Sequence, residues 1–364
     1  MTRVPLILSC ACLLMAACAD DPELAEGSED LRASTYAVGD LRYRGCPIWA
    51  CGLNSPFLGE ELNLKGKPNS EDIRFAGAFH ESFGEVQLAV VGDELIATSE
   101  SGKSIDAADL PGLIIKLEGV DELGPVGIEV LLENIGETPL WAVSDDNAKP
   151  VVPTYRFSYS VNGEDSQLLC PMIDEDQPNL PPDSKNIVHH HAILFAGERF
   201  DPNSSKLIDD LPSMKATMKD GDAGWFNWAC RGSALSKVHL TGHTQAADAR
   251  LKRPADEVTK FPAKAAAMLA FTGKYCTGGR KFTIPGQPVR VGDARKSIPR
   301  SHPSSFNDAT PGEVEALWDE NGALCLSNPR RLPWEPDMWN EILEVCGDIP
   351  SCESKFSDPL DPEN

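Results

Sequence analysis

Five histidines in two short segments are the side chains of this chain best suited to bind a metal ion. His189, His190 and His191 are consecutive, and His239 and His243 lie in Lys-Val-His-Leu-Thr-Gly-His. In a β-strand, His189 and His191 would point to the same face of the sheet. In a helix, His239 and His243 would lie one turn apart, where two imidazoles can share an ion. One hypothesis is therefore a zinc or copper site formed by His189, His191, His239 and His243.

The same histidines also have a less specific explanation. Thr241 and Gly242 separate the second pair and disfavour a helix. In a strand, His239 and His243 would be about 13 Å apart and could not share an ion. No Glu lies between them, as the helix of a metalloprotease requires. The alternative is a surface run of histidines at 189–191 and a strand or loop at 239–243.

The segment Ala97-Thr-Ser-Glu-Ser-Gly-Lys-Ser104 matches a loose form of the phosphate-binding loop. Such a loop needs a helix after it, whose N-terminus and backbone N–H groups hold the phosphates. Pro111 and Gly112 follow Ser104 too closely to leave room for that helix. We therefore predict a solvated hairpin turn at Ser99–Ser104 and no nucleotide binding.

Candidate nucleophiles and sugar platforms lack supporting residues in the sequence. Ser233 and Lys237 are four residues apart, whereas the Ser-x-x-Lys arrangement of β-lactamase-like enzymes needs three. Cys276 could attack a substrate with the help of a histidine base, or it could form a disulfide. Trp225 and Trp228 could stack on a sugar, but aromatic side chains are more common in a core. We predict no catalytic residue among the five.

Eleven cysteines indicate a protein that folds in an oxidising compartment. Cys10, Cys12 and Cys18 lie near the N-terminus. The other eight are disulfide candidates: Cys46, Cys51, Cys170, Cys230, Cys276, Cys325, Cys346 and Cys352. The cytosol keeps thiols reduced, whereas the periplasm and the cell surface allow disulfides. We expect most or all of the eight to be paired, although free buried cysteines are the alternative.

The pairing of these cysteines cannot be deduced from their number, but two local bridges fit the spacing. They are Cys46–Cys51 in Cys-Pro-Ile-Trp-Ala-Cys and Cys346–Cys352 in Cys-Gly-Asp-Ile-Pro-Ser-Cys. Each segment contains a proline, which favours a turn over a continuous helix. We favour Cys346–Cys352 as the local bridge.

The N-terminal residues predict export and lipid attachment. Arg3 precedes an apolar run at residues 6–17, which is too short to span a bilayer and suits the core of a secretory signal. The run ends in Met15-Ala-Ala-Cys18, which resembles a bacterial lipobox. That resemblance implies a signal peptide at residues 1–18 and a lipid such as palmitate on Cys18. Ala19, in place of Asp, implies sorting to the outer membrane. The alternatives are a short anchor or an ordinary cleaved signal.

Charge and composition limit the partners of the mature chain. Residues 19–35 are rich in acids and lack apolar periodicity, which predicts a disordered tether. The formal net charge is −23, and no basic stripe is present, which argues against nucleic acid as a partner. The membrane, reached through the lipid, is the only partner that the sequence indicates. A protein or glycan partner stays unspecified.

The elements that must position these residues differ between the two halves of the chain. Short apolar runs between turn signals predict a β-rich module at residues 36–164, either a sandwich or a meander. In Thr-Tyr-Arg-Phe-Ser-Tyr-Ser, the spacing places Tyr155, Phe157 and Tyr159 on a packed face, with Ser158 facing outward. Strands and helices are mixed in the second half.

Three segments of the second half have helical patterns, and one has a strand pattern. The Ala-rich stretch that Pro262 enters predicts a helix. Thr-Pro-Gly-Glu-Val-Glu-Ala-Leu-Trp-Asp-Glu-Asn-Gly, residues 310–322, predicts another that begins at a Thr cap. Residues 336–346 predict a third, which ends at Gly347. Ala192–Phe200 predicts a strand.

Three stretches of the second half resemble the ADYC-domain family of bacterial proteins. They are Trp-Ala-Cys-Arg-Gly-Ser-Ala-Leu-Ser-Lys-Val, the region from Met268 to Val291, and Glu-Ala-Leu-Trp-Asp-Glu-Asn-Gly-Ala-Leu-Cys-Leu. In the signature at residues 273–279, Tyr275, Cys276 and Gly279 match the family, whereas its Ala and its two Asp residues are replaced. The resemblance implies a domain at residues 165–352 and no particular activity.

Together, these patterns predict an α+β protein. A β-rich N-terminal module (36–164) precedes a mixed α/β, disulfide-braced module (165–352), and residues 353–364 form a disordered tail. The function that fits best is an exported, lipid-anchored envelope protein with a non-catalytic binding or structural role. The alternative is an extracytoplasmic metal-dependent enzyme that uses the histidine clusters.

Overall fold

The computed structural model describes residues 61–69, 71–121, 124–142, 150–170, 191–197, 199–201, 206–207, 224–231, 233–259, 261–276, 291–293, 316–326 and 342–352. The predicted signal peptide, lipid site, tether and tail lie outside these ranges, as do Cys46, Cys51 and His189. None of the helices in these ranges is long and apolar enough to cross a membrane.

Strands dominate the described residues. They are β1 (Glu61–Asn63), β2 (Arg74–His80), β3 (Gly84–Val91), β4 (Glu94–Ser99), β5 (Ser104–Ile105), β6 (Leu113–Asp121), β7 (Gly124–Pro139), β8 (Val151–Val161), β9 (Gln167–Leu168), β10 (His191–Ala196), β11 (Phe200–Asp201), β12 (Lys206–Leu207), β13 (Trp225–Cys230), β14 (Val291–Asp293), β15 (Ala316–Asp319) and β16 (Gly322–Leu326). The helices are α1 (Ala234–Leu240), α2 (Gln245–Arg250), α3 (Phe261–Thr272) and a 3-10 turn (Ala107–Asp109). Residues 342–346 are also helical.

One large sheet carries most of the strands, in the order β1-β13-β10-β8-β7-β6-β2-β3-β4-β5, with β9 paired to β8. All of its pairs are antiparallel. Strands on both sides of residue 165 belong to it, because β8 pairs with β10 through His191 and Arg156. The predicted α+β class with a β-rich first part is confirmed.

The sheet curls so that its two ends approach each other. The backbone N–H of Ala196, at the end of β10, donates to the carbonyl of Gly92 between β3 and β4 at 2.8 Å. The backbone N–H of Leu95 in β4 donates to the Tyr155 hydroxyl of β8, also at 2.8 Å. Curling of this kind protects apolar side chains on the inner face of the sheet from water.

The inner face of the curled sheet forms a first core. Tyr155 and Phe157 of β8 are buried there with Trp228 of β13, as the alternation in the sequence predicts. The Phe157 and Trp228 rings meet edge to face, with centroids 6.3 Å apart. Ser158 points to the opposite face from Phe157, as predicted, but it is buried there and not exposed. Its small side chain lies between its cross-strand neighbours, Leu131 and Leu168.

A second core lies on the opposite face of β8, β10 and β13. Ile193 and Phe195 of β10 point into it, whereas Ala192 and Leu194 point into the first core. The Ala-rich helix predicted around Pro262 is α3, and its alanines are buried in the second core. Small side chains let α3 approach its neighbours closely on several sides, which suits a helix that is apolar all round.

The C-terminal part adds a small sheet in the order β14-β15-β16. The helix predicted from residue 310 onward is wrong over its described part, because Ala316–Asp319 is strand β15. Ala316 and Trp318 alternate toward the second core, and β15 pairs with a strand on each side. Tertiary pairing therefore overrides local helix propensity here. The predicted stop at Gly347 fits its φ of +73°.

The phosphate-loop-like segment is a hairpin turn between β4 and β5, as predicted. The N–H of Ser99 donates to the carbonyl of Lys103 at 2.9 Å, and Gly102 has a φ of +79°. A two-residue strand follows, and then the 3-10 turn Ala107–Asp109. The segment therefore lacks the helix N-terminus that would hold a phosphate.

We expect Lys103→Ala to change the free energy of unfolding by less than about 0.5 kcal/mol, because the side chain is exposed at a turn. Denaturant unfolding of both proteins measures this difference. Binding of ATP by the wild type that the substitution abolished would contradict the assignment of the segment as a turn.

Candidate functional site

His239 lies in α1, at the boundary between the helices and the large sheet. Ser233 caps the helix, because its side-chain oxygen accepts from the Ser236 N–H at 3.2 Å. The His239 ring stacks on Phe195 of β10, with centroids 4.8 Å apart. The side chain is fully buried. Packing against the sheet therefore fixes the position and the plane of the imidazole.

Both ring nitrogens of His239 face polar side chains. Nδ1 lies 2.8 Å from Thr244 Oγ1, and Nε2 lies 3.4 Å from Asp93 Oδ2, an ion-pair distance that is long for a hydrogen bond. The series Asp93–His239–Thr244 has the order of a carboxylate, a base and a nucleophile. Thr244, however, is fully buried, and its hydroxyl accepts from the Ala247 N–H at 3.1 Å as the cap of α2. Its role is therefore to hold α2 in place.

Arg250 of α2 balances the charge of Asp93. Its Nε donates to the two carboxylate oxygens at 2.8 and 2.7 Å, and its Nη2 also donates to Oδ1. Further bonds join Arg250 to the Glu94 carboxylate at 2.7 Å and to the Val151 carbonyl at 3.0 Å. Burial by itself would raise the pKa of Asp93, but the contacts with His239 and Arg250 hold it below its usual value. Asp93 therefore stays ionised inside the protein.

Neither Asp93 nor Arg250 is identified as a site residue by the sequence. They are 157 positions apart. Asp93 follows Gly92 in a turn between two strands, where aspartate is common for local reasons. Only the curling of the sheet brings the turn to α2, and no local pattern signals that contact.

His243 lies beyond the end of α1, so it does not share a helix face with His239. Its Nδ1 lies 2.9 Å from the Thr241 hydroxyl. Burial, with smaller contributions from Arg253 and Lys264, lowers the pKa of His243 to about 3. The imidazole is therefore neutral at physiological pH.

The loop after His243 is held by a second buried ion pair. Asp248 accepts from Arg253 Nη1 at 2.6 Å and from the Thr259 N–H at 2.9 Å. Arg253 also donates to the Gly242 carbonyl at 2.8 Å. A Cβ on Gly242 would lie 2.8 Å from the Ala142 Cβ, and the φ of Gly242 is +83°. Glycine at 242 therefore allows the loop to pack directly against the turn that follows β7.

His191 is the fourth candidate metal ligand and lies in β10. Its Nδ1 lies 2.9 Å from Thr154 Oγ1 of the neighbouring strand β8. A Cβ on Gly136 would lie 3.2 Å from the ring, so the glycine makes room for the imidazole. Within the described ranges, no group of three His, Cys, Asp or Glu side chains is placed to hold a metal ion. The three candidate histidines in the described ranges instead contact different hydroxyl groups, those of Thr154, Thr244 and Thr241.

The six candidate cysteines that lie within the described ranges form three disulfides. They are Cys170–Cys230, Cys276–Cys346 and Cys325–Cys352. The favoured local bridge Cys346–Cys352 is therefore wrong. The 342–352 segment lies beside β16, where Leu326 forms a β-bridge with Ser351. Cys352 therefore pairs with Cys325 of β16, and Cys346 pairs with Cys276, which follows α3. The bridges at Cys230 and Cys276 join segments that are 60 and 70 residues apart in the sequence.

The signature at residues 273–279 has a structural role in its described part. Gly273, with a φ of +66°, ends α3, and the Lys274 N–H returns to the Leu269 carbonyl at 3.0 Å. Tyr275 is buried against Trp318, with centroids 5.3 Å apart. A Cβ on Gly322 would lie 2.3 Å from the Tyr275 carbonyl oxygen. The signature thus joins α3 to the small sheet, and the disulfide removes the Cys276 thiol from nucleophilic chemistry.

The other candidate residues also have structural positions. Ser233 is buried as the cap of α1. Trp228 lies in the first core, as predicted. Trp225 lies on the opposite face of β13, and the Arg199 guanidinium covers its ring at 3.6 Å from the centroid. The stacking face of Trp225 is therefore occupied by a protein side chain.

These features define an α+β protein in which an ion pair and disulfides connect segments that are distant in the sequence. The ADYC domain family model matches residues 107–332, more than half of the chain, and the chain belongs to this family. The matched range begins before residue 165 and contains the strands from β6 to β16. No curated protein and no solved structure matches the chain.

We expect Arg250→Met to destabilise the protein by about 3 kcal/mol or more, because it leaves the buried carboxylate of Asp93 without its main counter-ion. The matched control is Arg74→Met. Arg74 makes an exposed two-bond contact with Glu118, and its loss should cost less than about 1 kcal/mol. Denaturant unfolding measures both differences. Equal decreases in the unfolding free energy of Arg250→Met and Arg74→Met would show that the buried charge of Asp93 does not need Arg250 as its counter-ion.

The pH dependence of stability should reveal His243. Below pH 6.5 the unfolded chain binds a proton at this residue that the folded chain binds only near pH 3. Stability should therefore fall as the pH falls between these values, by up to about 1.4 kcal/mol per pH unit. In His243→Gln, the slope of the unfolding free energy against pH should be smaller than in the wild type by up to about 1.4 kcal/mol per pH unit between pH 6.5 and about 4.5. Parallel profiles of wild type and variant would contradict a buried neutral imidazole.

Proposed function

We propose that this chain is an exported protein, anchored by a lipid on Cys18 in the bacterial outer membrane, with a non-catalytic binding role. The single observation that carries the proposal is the set of three disulfides in the folded body. Stable disulfides require an oxidising compartment, and the cytosol does not provide one. The lipobox-like Met15-Ala-Ala-Cys18 supports export by a lipoprotein signal peptide.

Two of the disulfides add covalent restraints to the 342–352 segment, whose Ile342 also packs in the second core. Cys276–Cys346 and Cys325–Cys352 connect the 342–352 segment to the signature and to β16. Cys325 and Cys352 form a small cluster of buried residues apart from the two main cores. A bridge that closes a loop of 27 residues contributes about 3 kcal/mol, chiefly by restricting the unfolded chain. Oxidation therefore stabilises the fold of this segment.

A non-catalytic role is supported by what the candidate chemical groups contact. Thr244 and Ser233 are buried helix caps, and Cys276 is a disulfide partner. His239 and His243 are buried against threonines and have no open side toward solvent. An enzyme needs a nucleophile or a base that a substrate can reach. The described groups of these types instead stabilise the protein.

Lipid attachment is tested by Cys18→Ser. The wild type should partition with outer-membrane fractions, and the variant should lose membrane association or keep its signal, because serine cannot accept a thioether-linked lipid. Mass analysis of the N-terminal peptide detects the lipid directly. A variant that still fractionates with membranes after removal of the signal would contradict the proposal.

The oxidised state is tested by alkylating denatured, unreduced protein isolated from the envelope. We expect no alkylation at the six bridged cysteines, and mapping of peptides should return the three pairs. Cys46 and Cys51 are expected to be paired as well. Several alkylated cysteines, or a reactive thiol at Cys276, would contradict the proposal and favour an enzyme.

A further inference from the structure

We propose that the Cys276–Cys346 disulfide is a redox switch, which a dithiol reductant opens in the folded protein while the other two bridges stay closed. Its opening releases residues 342–349, called the flap below, from the second core. The inference goes beyond the proposed envelope role, because it needs the three bridges and not the lipid. It is carried by a difference in exposure between the three bridges and by the way the flap is attached.

The three bridges differ in how easily an external thiol can reach them. In Cys170–Cys230 and Cys325–Cys352, every cysteine is at most 2% exposed. Both cysteines of Cys276–Cys346 are instead half-buried. A thiolate must reach a sulfur atom in order to displace the other one, so an enclosed bridge opens only after the fold around it has opened. Cys276–Cys346 is therefore the bridge of the three that a reductant can attack in the folded protein.

The reaction at this bridge is thiol–disulfide exchange. One thiolate of the reductant attacks a sulfur atom of Cys276–Cys346, forms a mixed disulfide and expels the other cysteine as a thiolate. The second thiol of the reductant then attacks the mixed disulfide and expels the first cysteine. Two electrons and two protons pass from the dithiol to the bridge. The reductant ends as a disulfide, and both cysteines of the protein end as thiols.

The flap has one side toward the protein and one toward solvent. Ile342 is buried in the second core, and Cys346 and Ile349 pack against the edge of that core. Ile342 and Cys346 are four residues apart in a helical turn, so they share a face. Glu344 and Val345 are exposed. The flap therefore covers part of the second core, and its release uncovers apolar side chains.

The two cysteines of the switch are held differently. Cys276 follows Tyr275, whose ring packs on Trp318 with centroids 5.3 Å apart. The Tyr275 carbonyl also accepts from the Ala323 N–H of β16 at 2.8 Å. These contacts hold the Cys276 side on the small sheet without the disulfide. The Cys346 side belongs to the flap, so it is the side that moves when the bridge opens.

The far end of the flap is attached independently of the switch. The Leu326 N–H of β16 donates to the Pro350 carbonyl at 2.9 Å, and the buried Cys325–Cys352 bridge follows directly. Between the two attachments lies Gly347, which is exposed and has a φ of +73°. Glycine changes its backbone conformation more readily than other residues. The flap can therefore turn about Gly347 while the end of the segment remains on β16.

The order of opening is tested by reducing the full oxidised chain under native conditions with dithiothreitol. Samples are quenched at intervals with an alkylating agent, and the labelled cysteines are mapped by mass. Cys276 and Cys346 should be labelled about tenfold faster, or more, than the four enclosed cysteines, which are internal controls in the same molecule. Opening of all three bridges at one rate, or earlier opening of another bridge, would overturn the proposal.

Release of the flap is tested by hydrogen exchange on the same partly reduced protein. Amides of residues 343–349 should exchange about tenfold faster, or more, than in the oxidised protein, whereas those of β15 and β16 should not change. The double variant Cys276→Ser with Cys346→Ser should show the same pattern without a reductant. If this variant does not fold, the partly reduced wild type decides. Unchanged exchange in the flap, or equally faster exchange in β15 and β16, would overturn the proposal.

Discussion

Strands β10 and β13 have no face toward solvent, and the arrangement of the other elements depends on that constraint. One face of each strand completes the aromatic core of the curled sheet, and the other contacts the helices. Consecutive residues of β10, such as Leu194 and Phe195, therefore enter different cores. Apolar burial on both faces stabilises these strands more than any single polar contact could. The sheet and the helical layer consequently share one set of central strands.

Buried polar contacts then fix how the parts are oriented around those strands. The ion pair of Asp93 and Arg250 attaches the β3–β4 turn to α2, and Asp248 with Arg253 closes the loop that follows α1. Ion pairs in such positions are sensitive to the loss of one partner, because the other charge is then left in a medium that solvates it poorly. The histidines belong to the same set of orienting contacts. Their burial explains why residues suited to catalysis have structural roles in this fold.

The sequence predicted those features that depend on local periodicity. The alternation through Tyr155 and Phe157 identified a packed strand, and the alanines after Pro262 identified the buried helix α3. Residues Ala316–Asp319 were wrongly predicted to be helical. They form a strand because they pair with β14 and β16, and this pairing is not visible in the local sequence. The cysteine pairs were not predictable for a similar reason. Sulfur atoms pair according to which segments the fold brings together, and local spacing does not contain that information.

The site was less predictable than the fold. Metal-binding spacing at His239 and His243 was visible in the sequence, but the end of α1 at Leu240 separates the two side chains. Asp93 and Arg250 gave no signal, since their contact requires the sheet to curl. Trp225 stood out as a possible sugar contact, but the Arg199 guanidinium covers its ring. The register of β1 on β13, which places Asn63 beside Trp225, could be read only from the folded chain.

The most direct test of this account is native-state hydrogen exchange on the oxidised protein, resolved by peptide. If the central strands unite the two cores, amides in His191–Ala196 and Trp225–Cys230 should exchange only through global unfolding. They should then exchange at the slowest rate in the protein, together with those of β7 and β8. Fast exchange of β10, β13 and α3 while β6 and β7 stay protected would contradict the account, because the two cores would then unfold as separate units.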